Sequence, residues 1–338
     1  MRRLFLAAAL ILPALAHAWG PDGHETVATL AAQLIKASPA EAQVATLLGD
    51  MTMPMASIWA DCAKGVSPKK DYAYPEPGRY ADCAPLETPA RIAEMADYVR
   101  RNDRQCRIGM DEDSCHRQAH YADVALQRSR YLAGFTGTRP DDVAGALRTA
   151  ILVLQRKPAA GPPHLKSRRE ALLLLIHLVG DVHQPLHVGS VYLNARGQRV
   201  DPDKEGFDPG TFTSGGNDIW VAGTPAAAAS GPVKFHTLWD GVPARLKPDR
   251  VNAAWLAEAR RVQASPGDPA DWPAQWATQS LAQVGAAYEG LSFSARQDKH
   301  WTVALPRGYG ERAEAIKRRQ LTLAGARLAQ LLKAALTD

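Results

Sequence analysis

The sequence predicts an all-α protein in which residues 19–338 fold as a single domain. Three observations lead there: several stretches carry apolar residues at helical spacing, strand-like alternation is scarce, and no Gly/Ser linker, repeat or low-complexity block divides the chain. Residues 1–18 stand apart and read as a secretory signal. Arg2 and Arg3 precede an apolar run from Leu4 to Ala16, and Ala16-His17-Ala18 offers an A-x-A cleavage site before Trp19. The run is too short to span a bilayer comfortably, and no later stretch of about 18 uninterrupted apolar residues follows. The expectation is an exported protein, periplasmic or released, with no stable membrane association.

Along the mature chain, His24 to Ala37 places Val27, Leu30, Ala31 and Leu34 on one stripe of a helix. Ala90 to Asn102 and Gln118 to Ala133 are amphipathic and are expected to be helical too. Asp141 to Gln155 repeats the pattern, with Asp141 or Asp142 placed to cap it. Ser167 to Asp181 is apolar through Ala171 to Ile176 and reads as the central buried helix, which Pro185 must end or bend. Pro273 to Leu291 and Glu311 to Leu336 complete the set, the last as a core-packing helix rather than one lying on a membrane. Between them, Ser67 to Pro89 and Leu193 to Asn217 are rich in Gly and Pro and are expected as surface loops beside a site. A short hairpin is expected near Val188 to Val200.

The net charge of the 338 residues is +5; loss of Arg2 and Arg3 leaves 38 Lys and Arg against 35 Asp and Glu, a balance of +3. So mild an excess tolerates a polyanionic substrate without pointing to one. Export permits disulfides. Cys62, Cys83, Cys106 and Cys115 allow three pairings. The local one, Cys62–Cys83 with Cys106–Cys115, is expected, since no close C-x-x-C pair supports cysteine ligation of a metal.

Chemistry concentrates in His177-Leu-Val-Gly-Asp181-Val-His183-Gln-Pro-Leu-His187. His177 and Asp181 are four apart, hence on one helix face. Inside an apolar segment such groups are costly unless paired or bound to a cation. The pattern recurs at His236-Thr-Leu-Trp-Asp240. Two His-x-x-x-Asp elements, the first followed by another His, suggest a site for more than one divalent ion. Imidazole with carboxylate suits zinc. His183 turns away from the His177/Asp181 face and reads as structural. Trp59 and Trp239 read as packing residues, and His116, His164 and His300 as surface residues.

In chain order, Trp19-Gly20, His24, Trp59-Ala60-Asp61, His120-Tyr121-Ala122-Asp123, His177-x-x-x-Asp181 with His187, Gly215-Gly216-Asn217 and His236-x-x-x-Asp240 resemble the zinc-dependent, single-strand-preferring nucleases of the S1/P1 type. The resemblance runs from Trp19 to Asp240; the later helices agree only in general character. It implies a mostly helical domain with three Zn2+ in a cleft. Asp61, His120, His177 and Asp181 would hold the first ion. The amino group and carbonyl of Trp19, His24 and the other oxygen of Asp181 would hold the second. His187, His236 and Asp240, with water, would hold the third. The implied activity is hydrolysis of single-stranded RNA and DNA to 5′-phosphorylated nucleotides, accompanied by 3′-nucleotidase activity, in a monomer.

By the same resemblance, Asp61 and Asp181 serve catalysis as well as ligation. Lys64 would bind substrate and stabilise transition-state charge. Asp123 would orient the attacking water or tune the first zinc, and Asn217 would position the phosphate or nucleotide. The interval from Asp61 to His120 is longer than in fungal and plant members, and that from His187 to Asn217 is also extended, so base preference does not transfer. Tyr121, Tyr192, Phe212 and Trp220 are candidates for base stacking. Two alternatives remain open. A zinc-dependent phospholipase C shares the N-terminal Trp and the ligand order but ends its third site in Glu, where this chain has Asp240. A secreted zinc-binding protein without catalysis would close each ion with four protein ligands.

Overall fold

Helix Arg168–Asp181 is buried on every side from Glu170 to Asp181, and the other elements are laid around it. A helix apolar around its whole circumference belongs inside a protein. Its start is set by Ser167, whose hydroxyl accepts from the Glu170 N–H at 3.1 Å. The structure is a computed structural model that describes residues 19–103, 115–222 and 232–336. The leader and Cys106 therefore lie outside the described residues, and with them the expected Cys106–Cys115 pair. The Cys62–Cys83 disulfide is present.

Before the central helix come α1 (Pro21–Ile35), α2 (Pro39–Leu48), α3 (Met53–Ser57), α4 (Trp59–Ala63), α5 (Pro89–Asn102), α6 (Cys115–Gln118) and α7 (Val143–Leu154). The central helix is α8. After it come α9 (Pro202–Glu205), α10 (Phe235–Asp240), α11 (Ala253–Arg260), α12 (Trp272–Ala287) and α13 (Tyr309–Ala335). Proline opens α1, α2, α3 and α5, where its missing N–H would have lacked a helical partner anyway. Asp142, one of the two expected caps, accepts from the N–H groups of Ala144 and Gly145 at the head of α7.

Strands are short and peripheral. β1 (Val124–Ala125) pairs in parallel with β2 (Gly189–Ser190). β3 (Tyr192–Leu193) and β4 (Arg199–Val200) form the expected hairpin. β5 (Ile219–Ala222) lies between antiparallel β6 (Val233–Lys234) and parallel β7 (Trp301–Ala304). One apolar core runs from Trp19 to Leu336, so α13 is a core helix as expected. Among the described residues no helix is long and apolar enough to cross a membrane.

Two expectations need correction. Gln118 to Ala133 is not a helix. Its backbone donors are spent elsewhere, Ala122 N–H on the His187 carbonyl, Val124 on Val188 and Leu126 on Ser190, which holds the segment extended against the chain after α8. Cross-chain pairing overrides local amphipathic spacing here. His116 is buried rather than at the surface, because α6 packs against α5, whereas His164 and His300 are exposed.

The first and last helices meet closely. A Cβ at Gly325 of α13 would lie 2.5 Å from the Leu30 Cβ of α1. Gly325→Ala is therefore expected to lower stability by about 1–3 kcal/mol despite the better helix propensity of Ala, read as a lower urea midpoint at unchanged slope.

Candidate metal centre

The start of α1, α4, the turn after α6, the end of α8, the Pro185–His187 turn and α10 all aim polar side chains at one buried region. Gly20 N–H donates to the Asp240 carbonyl at 2.9 Å, which ties the head of α1 to the end of α10. Trp19 is fully buried against Gly23, where a Cβ would come within 2.7 Å of its own. Gly180 performs the same service for His24. A Cβ there would sit 2.6 Å from His24 Nδ1, so glycine lets that ring lie against α8 and stack on His177, centroids 3.8 Å apart.

Among the described residues, three groups of potential ligands each bring donor atoms within 4.8 Å of one another: His24, His177 and Asp181; Asp61, His120 and His177; and His187, His236 and Asp240. All are buried. These are the nine expected ligands except Trp19, which contributes no side-chain donor and lies beside them through the Gly20–Asp240 hydrogen bond.

Hydrogen bonding to backbone carbonyls decides what the imidazoles offer. His177 Nδ1 lies 2.6 Å from the Ser57 carbonyl, His187 Nδ1 2.8 Å from that of His120, and His236 Nδ1 2.8 Å from that of Gly215. A carbonyl only accepts, so each Nδ1 donates its proton, and a neutral ring then keeps a lone pair on Nε2. At His177, against the pull of burial, Asp181 and Asp61 raise the ring and favour a second proton in the absence of a cation. His187 and His236 then point two lone pairs at each other, Nε2 to Nε2 at 3.1 Å. That contact repels unless something positive lies between. Protonation is opposed, since burial, with the neighbouring His187, pushes His236 down to about 3. A divalent cation removes the conflict, and Asp240 is placed to join it. Its Oδ2 is buried without a hydrogen-bond partner, 3.5 Å from His236 Nε2, while Oδ1 accepts from Gln184 Nε2 at 2.8 Å.

Asp181 faces two ways. Oδ2 lies 2.9 Å from His120 Nδ1 and 3.1 Å from His177 Nε2, whereas Oδ1 lies 3.4 Å from His24 Nε2. Burial works to protonate Asp181, but His177 and His187 around it hold the carboxyl well below the usual range. His24 has no hydrogen-bond partner at either ring nitrogen although it is completely buried. An unpartnered buried imidazole is expensive, and a cation beside Asp181 would partner it. Burial, with His177, pushes His24 down to about 4, and burial with Lys64 pushes His120 down to about 3, so both offer neutral, ligating rings. The donor set fits divalent ions of the zinc type.

Lys64 is neither solvated nor extended; its Nζ donates to Asp61 Oδ1 at 2.6 Å, and both side chains are buried. Asp123 belongs to none of the three groups. Its carboxyl, pushed up to about 7 by burial, accepts from the Gly215 N–H. Gly215 and Gly216 adopt φ of +60° and +90°, and a Cβ on Gly215 would approach His236 Nδ1 to 3.2 Å. Glycine is what lets this turn present its carbonyl to His236. Asn217 ends the turn, with Nδ2 donating to the Ser214 carbonyl at 3.0 Å and Oδ1 buried without a partner.

His183 is satisfied wholly by protein, as its direction on the helix implied. Nδ1 donates to the Val179 carbonyl, and Nε2 accepts from Arg327 at 2.8 Å. Trp59 and Trp239 are completely buried packing residues. Tyr192 is buried with its hydroxyl on the Asp123 carbonyl, which removes it from the stacking candidates; Tyr121, Phe212 and Trp220 remain half-buried. Gly180, Gln184 and the Ser57 carbonyl were not singled out from sequence. Gln184 and Gly180 lie within the His-Asp run itself, so only their contacts, not their position, were hidden.

Comparison with known proteins agrees with this geometry. The family described as S1/P1 Nuclease matches residues 19–337, and the chain belongs to that metal-dependent family. Nuclease S1 of Aspergillus oryzae (strain ATCC 42149 / RIB 40) is similar to it, 25% identical over 228 residues that cover 67% of this chain and 61% of the relative. The alignment thus spans less than two thirds of that relative's length.

Without metal, the protein is expected to lose stability as pH falls from about 6.5 toward 4. Its lowered histidines (His24, His116, His120, His183, His187 and His236) outnumber the raised carboxyls of Asp123, Asp142 and Asp240, which oppose the fall. In that window unfolded histidines take up protons near 6.5, whereas folded His24, His120 and His236 wait until about 4, 3 and 3. The unfolded state then binds more protons, which lowers stability. Urea midpoints of chelated protein across that range check the sign. Gly180→Ala, which pushes His24 off α8, is expected to reduce tightly bound metal by about one equivalent per chain while far-ultraviolet dichroism stays unchanged, read by elemental analysis.

Proposed function

We propose that residues 19–338 form an exported, monomeric three-zinc phosphodiesterase that hydrolyses single-stranded RNA and DNA to 5′-phosphorylated nucleotides and also removes 3′-phosphates. Family membership and the likeness to a protein named Nuclease S1 support a nucleic-acid substrate. The observation that carries the three-ion reading is Asp181, whose two oxygens face two different donor groups. A carboxylate can serve two cations, whereas a neutral imidazole serves one.

Asp61, His120, His177 and Asp181 would hold one ion, His24 and Asp181 a second, and His187, His236 and Asp240 a third. The amino group and carbonyl of Trp19 would complete the second once the chain is cut before it. When bound, such ions acidify water and stabilise a departing oxygen. The chain's own part is placement. Carbonyls of Ser57, His120 and Gly215 fix the imidazole tautomers, an arrangement that strengthens ligating histidines. Lys64 brings a buried positive charge beside Asp61, suited to oxygens that gain charge in the transition state. Asp123 acts through Gly215 on His236, as a positioning residue. Asn217 Oδ1 offers an unused acceptor to a nucleotide. The Cys62–Cys83 disulfide agrees with an oxidising compartment and so with export.

The purified, processed protein, given RNA, single-stranded DNA and phosphatidylcholine, is expected to release 5′-nucleotides and to lose that activity on chelation. Release of diacylglycerol without nucleotides would make it a phospholipase instead. Lys64→Ala is expected to lower kcat by about 10²–10³ with bound metal unchanged. A kcat within threefold of the parent would remove Lys64 from the catalytic set.

A further inference from the structure

Between α4 and α5 the chain builds one wall of a cleft that the chemistry above leaves unused. The cleft has a volume of about 280 Å³ and is lined by Pro21 at the head of α1, Asp61, Arg79, Tyr80 and the Cys62–Cys83 disulfide. That is near the ~300 Å³ lower end of small-ligand sites, room for a single nucleotide but not a duplex. The disulfide starts at the residue after Asp61, so the wall cannot drift away from the metal centre.

The wall sets one cation and one aromatic ring, Arg79 and Tyr80, beside two carboxylates, Asp61 and Asp82. The Arg79 guanidinium lies over the Tyr80 ring, 5.3 Å from its centroid. One of its nitrogens pairs with Glu76 at 2.6 Å, while Nε is buried with no hydrogen-bond partner. Arg117 closes in from α6. Its Nη2 donates to the Lys64 carbonyl at 3.0 Å, and its charge reaches the Tyr80 hydroxyl, where burial outweighs both arginines and raises the group. Proteins hold single strands with this combination, cations along the backbone and flat side chains under the bases.

We propose that Arg79 and Tyr80 form a subsite for the nucleotide adjoining the cleaved bond, the guanidinium pairing with its phosphate and the Arg79–Tyr80 stack receiving its base. The proposal rests on the phosphodiesterase reading and adds a physical source of strand preference. Bases already paired and stacked in a duplex have no open face to offer this wall, whereas those of a single strand do.

The test uses metal-loaded protein, a fluorescent phosphorothioate single strand for binding, and two substrates for turnover. These are an unmodified single-stranded oligonucleotide and bis(4-nitrophenyl) phosphate, a diester with no nucleotide to stack. Arg79→Ala and Tyr80→Ala are each expected to weaken strand binding about tenfold, and to lower the oligonucleotide-to-small-diester ratio of kcat/KM by a similar factor. Arg79→Ala should also reduce the slope of log affinity against log salt by about 0.7, the loss of one phosphate contact. Tyr80→Phe, which keeps the ring, should retain the parent ratio. Equal losses on both substrates, or parental affinity and salt slope in both alanine variants, would overturn the subsite. Binding that depends on Arg79 and Tyr80 in a protein that hydrolyses neither substrate would refute the phosphodiesterase reading and leave the subsite standing.

Discussion

An imidazole and a carboxylate one helical turn apart, deep in a helix with no exposed face, set the conditions for everything around them. His177 and Asp181 have no access to water, so each of their polar atoms must find a partner inside. The protein supplies some of these. Ser57 gives His177 a carbonyl, while Asp181 meets the rings of His120, His177 and His24. What remains is a set of lone pairs facing inward, with His24 stacked beside them and His187 and His236 opposed nearby.

Charge points the same way as hydrogen bonding. Asp61, Asp181 and Asp240 are buried together, and Lys64 is the buried lysine paired with them at Asp61. Lys317, also buried, acts on Asp240. Yet two ammoniums do not neutralise three carboxylates in a low-dielectric interior, and a site with that imbalance either takes up protons or takes up cations. Asp240 leans toward the first response, its carboxyl raised well above the usual range by burial. Neutral imidazoles around the carboxylates make the second response available.

The clustering of these side chains was legible because their chemistry is periodic. His177 with Asp181, and His236 with Asp240, stand at helical spacing inside apolar segments, and the structure places both pairs on helices. The long helices were legible for the same reason, as were Asp142 as a cap and the hairpin of β3 and β4. What failed did so where partners distant in sequence decide. Gln118 to Ala133 has the spacing of a helix, yet Ala122, Val124 and Leu126 bond to the chain after α8. His116 shows no local pattern because its burial comes from packing between α5 and α6. Asp123, expected to orient the attacking water or tune the first ion, has its carboxyl on the Gly215 N–H, a partner that its spacing from His120 does not announce. Arg79 and Tyr80 fall in a Pro- and Gly-rich stretch that announces a loop and nothing about what the loop faces.

Helix α13 contributes no ligand, yet it grips the centre from behind at two points. Gln320 and Arg327 hold the His183 turn, which links Asp181 to His187, and Lys317 Nζ donates to the carbonyls of Leu238 and Gly241, on either side of Asp240. The same helix packs on α1, which carries His24. Geometry near the beginning of the chain is thus squared up by residues made close to its end. A ribosome must have delivered nearly the whole polypeptide before the coordination cage can take its shape. Any loading with metal is then a maturation step that follows synthesis and draws on whatever ions surround the finished chain.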